Sequence, residues 1–222
     1  MITFEASFDD GCALDMRVAD LLEKYGFEDA VFYIPSYWQM VNVQHGDEPL
    51  SPAQLKDLAQ RFRIGSHTMT HPKLTRIPMD QVKDEIIRSK MQLEHILGID
   101  INEFCYPRGY ANNDIRELVG QNYARARNTL VGEIYAPENP IWQSTAVHIA
   151  GNNRKEYRGT TWLAEALQLL ADAEIANLYG EEDVVYHFWG HSWEIDRNNA
   201  WDDFEEFLKI ASEVKNAGLY PL

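Results

Sequence analysis

Short runs rich in β-branched and aromatic residues alternate along this chain with longer runs whose apolar residues recur every three or four positions. The first kind falls at 2–8, 30–35, 62–65, 103–107, 123–128, 144–149 and 183–190 and reads as strands. The second kind reads as helices. Val18, Leu21, Leu22 and Tyr25 keep helical spacing, with Gly26 placed to stop the helix. Ser51 and Pro52 are an N-cap and first-turn pair before Leu55, Leu58 and Ala59. Asp80 is placed to cap a long helix that turns Val82, Ile86, Leu93 and Leu97 inward and ends at Gly98. Ile115, Leu118 and Val119 mark another. A helix over 160–178 carries Trp162, Ala166, Leu169, Leu170 and Ala173, and a last one over 201–217 carries Phe204, Leu208 and Ala211 and is stopped by Gly218. The stretch 36–50 reads as a long loop.

Strands that alternate with helices imply a parallel sheet, because parallel neighbours need a crossover long enough to hold a helix. The 222 residues show no repeat, low-complexity tract or linker, and 45% of them are hydrophobic. One α/β domain over 1–222 is therefore expected. It is either a barrel or a doubly wound open sheet; the second would more often carry a Gly-rich phosphate loop, and none is present.

Two motifs stand just after predicted strands. Ser7-Phe8-Asp9-Asp10-Gly11 places adjacent carboxylates where a pleat gives way to a turn, so both can reach one cavity without doing the same job. His67-Thr68-Met69-Thr70-His71 holds two histidines four apart, which a helix would put on one face. Two neutral imidazoles and a carboxylate form a usual three-ligand set for a catalytic divalent metal, with a position left for water.

Together these motifs resemble the polysaccharide deacetylases with the NodB homology domain, carbohydrate esterase family 4. The family's first motif, Thr-Phe-Asp-Asp-Gly, is matched by residues 7–11, and its second, His-Ser/Thr-x-x-His, by residues 67–71. The resemblance implies a distorted, incomplete (β/α)7 barrel, Asp9 as general base, and a divalent metal held by Asp10, His67 and His71. Zinc is the family expectation; cobalt, nickel and manganese suit the same donors. The implied substrate is an N-acetylated sugar or polysaccharide.

The later motifs depart from the pattern. The family's third has an arginine before proline, whereas here Arg108 follows Pro107. By resemblance Arg108 binds a substrate hydroxyl or orients Asp9, and the backbone N–H near Tyr110 is an oxyanion donor. The fourth, an Asp followed by Trp, has no clear match; Trp142 lacks an adjacent aspartate. The fifth, an apolar run ending in His, falls on 184–193 in an ambiguous register, leaving His187 and His191 as candidates for the general acid. On a strand they lie about 13 Å apart at roughly 3.3 Å per residue, so they cannot chelate one ion. The site of a parallel barrel lies at the C-terminal strand ends, which favours His191 and makes His187 the alternative. Trp38, Tyr110 and Trp193 fall on predicted catalytic-side loops, where aromatic faces can stack on a sugar, while Trp162 belongs to the core.

The formal charge of −15 disfavours nucleic acid and anionic lipid as partners, and a strongly anionic polymer as substrate unless a local pocket overrides the total. No apolar run reaches the roughly eighteen residues of a membrane span. The N-terminus shows no secretory pattern, and the only cysteines, Cys12 and Cys105, read as buried small side chains in a reducing compartment, so a cytoplasmic location is expected. No feature fixes an oligomeric state. The altered arginine leaves two other classes open: hydrolysis of a formamide or cyclic ureide, and non-catalytic carbohydrate binding.

Overall fold

The computed structural model describes residues 1–151 and 154–217; the expected stop at Gly218 lies outside them. Seven parallel strands run in the order β5-β4-β3-β2-β1-β7-β6. They are β1 (Thr3–Asp9), β2 (Ala30–Ile34), β3 (Arg63–Ser66), β4 (Glu103–Cys105), β5 (Arg125–Arg127), β6 (Val147–His148) and β7 (Val185–Gly190). β1 lies between β2 and β7, pairing Ala6 with Ala30 and Phe4 with Tyr186. β5 and β6 are the two ends of this order, and the sheet curls to bring them toward each other. The gap between β5 and β6 is bridged by one irregular stretch. Gln143 N donates to Ala126 O at 2.8 Å and Asn128 N to Gln143 O at 2.9 Å, and three residues later Ala146 N donates to His187 O at 2.8 Å. The result is an incomplete (β/α)7 barrel, and the open doubly wound sheet is excluded.

The helices are α1 (Asp15–Lys24), α2 (Trp38–His45), α3 (Pro52–Arg61), α4 (Met79–Leu97), α5 (Asn113–Asn122), α6 (Trp162–Leu178), α7 (Ser192–Arg197) and α8 (Trp201–Ala217). The start of α3 is a full capping box: Gln54 N donates to Ser51 Oγ and Ser51 N to Gln54 Oε1. Two expectations are corrected. The stretch 36–50 contains α2, whose weak apolar periodicity hid it. Pro78, not Asp80, is the N-cap of α4, and Asp80 sits in its first turn, where a carboxylate still favours the helix dipole. No helix among the described residues is long and apolar enough to cross a membrane.

The strand pleat sorts side chains into two layers. Phe4, Phe8, Phe32, Phe104 and Phe188 face outward and form the apolar core with the helices, as where Phe8 meets Phe204 at 5.8 Å and Phe188 meets Phe207 at 5.2 Å. The alternate residues face the barrel interior, and many are polar. Arg125 donates to Glu5 at 2.6 Å across the lumen, and Gln143 Nε2 donates to the same carboxylate at 2.7 Å. Arg63 pairs with Glu103. His187 belongs to this layer. Its Nε2 lies 2.9 Å from Ser7 Oγ and its Nδ1 3.3 Å from Glu5, partners that fit a neutral ring protonated at Nδ1.

Glu5 is a test of this interior. Burial opposes its ionisation, but the His187 hydrogen bond and the Arg125 charge outweigh that and hold it below its ordinary 4.5. A depressed carboxylate adds stability above its unfolded value, which is lost as pH falls toward the folded one. Glu5→Gln is expected to cost about 3 kcal/mol near neutrality, as for a buried pair deprived of one partner. Urea unfolding at pH 7 and pH 4 is the measurement, with the deficit shrinking at pH 4.

Candidate active site

Strand β1 ends by turning one carboxylate inward and then redirecting the next. Asp9 occupies an interior position of the pleat. Strict alternation would point Asp10 outward into the helices. Instead Asp10 has φ 84° and Gly11 φ 72°, and this left-handed pair swings Asp10 over the barrel mouth. The turn is held by Asp10 N donating to Tyr33 O at 3.0 Å and by Asn42 Nδ2 donating to Asp10 O at 2.7 Å. Gly11 is required by its positive φ and by space: a Cβ there would lie 3.3 Å from both Ile34 and Trp38.

His67 follows β3 and points inward, its Nδ1 2.8 Å from Cys105 O, which leaves Nε2 free to face Asp10. The histidine pair is not helical, contrary to the spacing argument. Thr68 and His71 both take positive φ, and the loop is pinned by Glu85 of α4, which accepts from Met69 N at 2.8 Å, Thr70 N at 2.9 Å and Thr70 Oγ1 at 2.6 Å. The outcome is the convergence that a helix would have supplied. His67 Nε2 lies 3.8 Å and His71 Nε2 3.7 Å from Asp10 Oδ1. Burial keeps both rings neutral, and with the neighbouring His67 it pushes His71 down to about 3.

These residues fit a metal ion. Asp10 Oδ1 is buried without a hydrogen-bond partner, an arrangement that costs free energy unless a cation supplies the missing contact. The two Nε2–Oδ1 separations of 3.8 and 3.7 Å are near the edge of roughly 3.4 Å that ligands about 2.0–2.1 Å from a tetrahedral zinc would have. The other oxygen, Oδ2, accepts from Trp193 Nε1 at 3.1 Å.

Asp9 is held differently. Arg127 of β5, fully buried, sets Nη2 2.5 Å from both Asp9 oxygens, while Cys105 Sγ lies 3.6 Å from Oδ2. Burial raises the carboxyl and the Arg127 charge more than reverses this, leaving it at about 2. The orienting role expected of Arg108 thus has its geometry in Arg127. Arg108 lies at the cavity mouth and makes no contact with Asp9. The signal for Arg127 was the alternation Arg125-Ala126-Arg127, two charges on one face of a strand.

His191 follows β7, with Nε2 3.8 Å from Asp10 Oδ2 and Nδ1 3.1 Å from Glu194 Oε2. Glu194 also lies 2.8 Å from His148 Nε2, and His148 stacks on Trp189 at 3.9 Å. Burial disfavours the His191 cation, but the Glu194 hydrogen bond and the Asp10 and Asp9 charges prevail and push it up to about 9. Glu194 and His148 were not foreseen; the spacing of Glu194 three residues past His191 was the available clue.

A cavity of about 370 Å³ opens above these groups, lined by Asp10, His45, His71, Arg108, His191, Trp193 and Arg197. Trp193 faces it from α7. Trp38 does not: it is buried beneath Gly11 and donates to Leu50 O at 2.8 Å, so its place is the core. Tyr110 is exposed beside Lys73 outside the cavity lining, and its N–H reaches back to Pro107 O at 3.5 Å. Trp142, without an aspartate beside it, packs on Tyr106 at 5.3 Å. His187 lies below the site, in the lumen.

The family profile described as polysaccharide deacetylase matches residues 3–126, which include both motifs, β1 to β4 and most of β5. The chain belongs to the polysaccharide deacetylase family. No curated protein sequence matches it. Among solved structures, the barrel of this family member is similar to a Streptococcus pyogenes deacetylase in complex with acetate, at 20% identity and TM-score 0.54, over 63% of this chain and 62% of that one. It is similar to a family 4 carbohydrate esterase from Streptomyces lividans in complex with acetate, at 15% identity and TM-score 0.59, over 95% and 89%. A CE4 family pseudoenzyme from Bacillus anthracis shares the fold at 12% identity and TM-score 0.60, over 97% and 61%. The chain thus covers under two thirds of the Streptococcus and Bacillus proteins. A polysaccharide deacetylase fold is therefore shared by a protein described as a pseudoenzyme, and the side chains of the site carry any reading of activity.

The Arg127–Asp9 pair gives a measurable signature. Asp9, depressed to about 2 from 3.8, adds stability above pH 3.8 that is lost as pH falls through 2. Arg127→Leu is expected to cost about 3–5 kcal/mol at pH 7, where it leaves a buried carboxylate unpaired, and clearly less at pH 3.5, where Asp9 can protonate. Equal penalties at the two pH values in urea titrations would contradict this.

Proposed function

We propose that this protein is a metal-dependent hydrolase that removes acetyl groups from an N-acetylated sugar or polysaccharide. The observation that carries the reading is the approach of His67 and His71 Nε2, at 3.8 and 3.7 Å, to a buried Asp10 oxygen that has no other partner. Asp10, His67 and His71 would hold one divalent ion; zinc fits two imidazoles and a carboxylate, and cobalt, nickel and manganese share the donor set. Such an ion supplies Lewis acidity to an amide carbonyl and acidity to water.

The chain's own residues divide the remaining work. Asp9, kept ionised by Arg127, accepts a proton from the attacking water as oxygen bonds to the acetyl carbon. His191 gives a proton from Nε2 to the amide nitrogen as the C–N bond breaks. Water is consumed, and acetate and a free amine leave. Asp10 and Asp9 do not exchange roles, because Asp10 is committed to the imidazole cluster and Asp9 to a guanidinium. Trp193 offers a ring face for the sugar at the cavity wall. A formamide or cyclic ureide hydrolase would release formate or a ring-opened product instead of acetate, and a pure binder would release nothing. The presence of Asp9 beside the cluster supports turnover, since a binder has no use for a base there.

Acetate release from N-acetylglucosamine oligomers, with and without added divalent metals, tests the reading. His67→Ala is expected to lose metal stoichiometry and turnover together. Asp9→Asn should keep the metal and lose about 10²–10⁴-fold in rate. The reverse pattern, with Asp9→Asn metal-free and Asp10→Asn metal-loaded, would exchange the two roles.

The acid is tested separately. His191→Gln should abolish turnover of an unactivated amide while keeping the metal, and lose much less on an aryl acetate whose leaving group needs no proton. His187→Gln disturbs the lumen, so it should lower stability and affect both substrates alike. Loss confined to the amide in His187→Gln would reassign the acid.

A further inference from the structure

Resting on the deacetylase reading, we propose that Arg108 selects substrates whose N-acylated sugar bears an anionic group, a carboxylate or a phosphate. Two guanidiniums line the cavity, and only one is committed. Arg197 donates to Asp47 at 2.7 Å and to His45 O at 3.1 Å, and lies 4.7 Å from the Trp193 ring, so its charge is offset and its plane is covered. Arg108 pairs with no carboxylate among the described residues. The nearby acids are engaged elsewhere: Asp10 with the histidines and Trp193, Glu194 with His148 and His191. Arg108 is thus the uncancelled charge in a mouth that belongs to a chain of net charge −15.

The side chain stands on a built turn. Arg108 has φ 58° and Gly109 φ 72°. Gly109 lies so close to Thr129 that a Cβ would fall 2.2 Å from its Oγ1, and Arg154 Nη1 donates to Thr129 O at 2.9 Å. A non-glycine residue in the left-handed region persists where its surroundings over-determine it, and such positions cluster at ligand sites. Arg108 lines the same cavity as Asp10, His71 and His191, so its charge faces the centre of the site.

A free guanidinium matches carboxylate and phosphate oxygens two at a time, and a concave mouth strengthens its field. The cavity, about 370 Å³, sits at the small end of the roughly 300–1,000 Å³ range of ligand sites. The anion must therefore be on the acylated sugar unit or its immediate neighbour. The acidic total of the chain then repels anions generally while the mouth admits one in a fixed place.

Calorimetric titration of the zinc-loaded full chain with N-acetylglucosamine, its 6-phosphate and the corresponding C6 uronic acid tests this without using turnover. At least one anion is expected to bind about 10- to 100-fold more tightly than the neutral sugar at low salt, and the gap should narrow as salt rises. Which anion prevails identifies phosphate or carboxylate as the group gripped. Arg108→Asn, which tolerates the left-handed backbone, should bring the ratio close to one, and Arg108→Lys should keep part of it. Equal binding of all three sugars, no binding of any, or a preference that survives Arg108→Asn because the metal alone holds the anion, would each overturn the proposal. An Arg108-dependent preference in a protein that releases no acetate would keep the anion site and overturn the deacetylase reading.

Discussion

Asp9 and Arg127 join the first strand to the fifth through the middle of the barrel. Neither charge has access to water, and each is tolerable only because the other is there. That requirement reaches well beyond the pair. The strands must hold a register in which interior positions of β1, β4, β5 and β7 meet, since a slip of one residue would turn each charge into the apolar outer layer. Glu5 with Arg125, Glu103 with Arg63, and His187 with Ser7 and Glu5 repeat the arrangement lower in the lumen. The apolar core therefore lies outside the sheet, between strands and helices, and the space inside is filled by a polar network that fixes which strands face each other.

The same pair explains why two adjacent carboxylates differ. Asp9 remains on the pleat and is bound by a guanidinium. Asp10 leaves the pleat through a left-handed turn and meets three imidazoles, His67, His71 and His191, at 3.7–3.8 Å. One stays ionised below the mouth beside a guanidinium; the other stands at its centre among the imidazoles. Backbone conformation at a single residue separates the roles, and Asn42, Tyr33 and Gly11 maintain that conformation.

Family membership and the barrel agree with the first two motifs, while the partners of Asp9 and His191 lie outside those motifs. An arginine on β5 reaches the aspartate from the opposite side of the lumen. A glutamate one turn past His191 supports its ring. Both partners come from positions far from the first two motifs, 118 residues from Asp9 in the case of Arg127.

The alternation of strand and helix signals was enough for a parallel α/β fold and for strands placed within a few residues, while two short motifs beside strand ends and the family they resemble singled out Asp9, Asp10, His67, His71 and His191. Those are local properties: pleat periodicity, caps, and short spacings next to strand ends. The barrel's closure, the inward face of each strand, the left-handed swing of Asp10 and the pairing of residues 118 positions apart belong to tertiary structure. So do the burial of Trp38 and the freedom of Arg108, which look alike as loop residues in the sequence. Sequence spacing bounds how far a side chain can reach, but which charge it meets is decided by strand order and curvature, and those follow from packing the whole sheet against its helices.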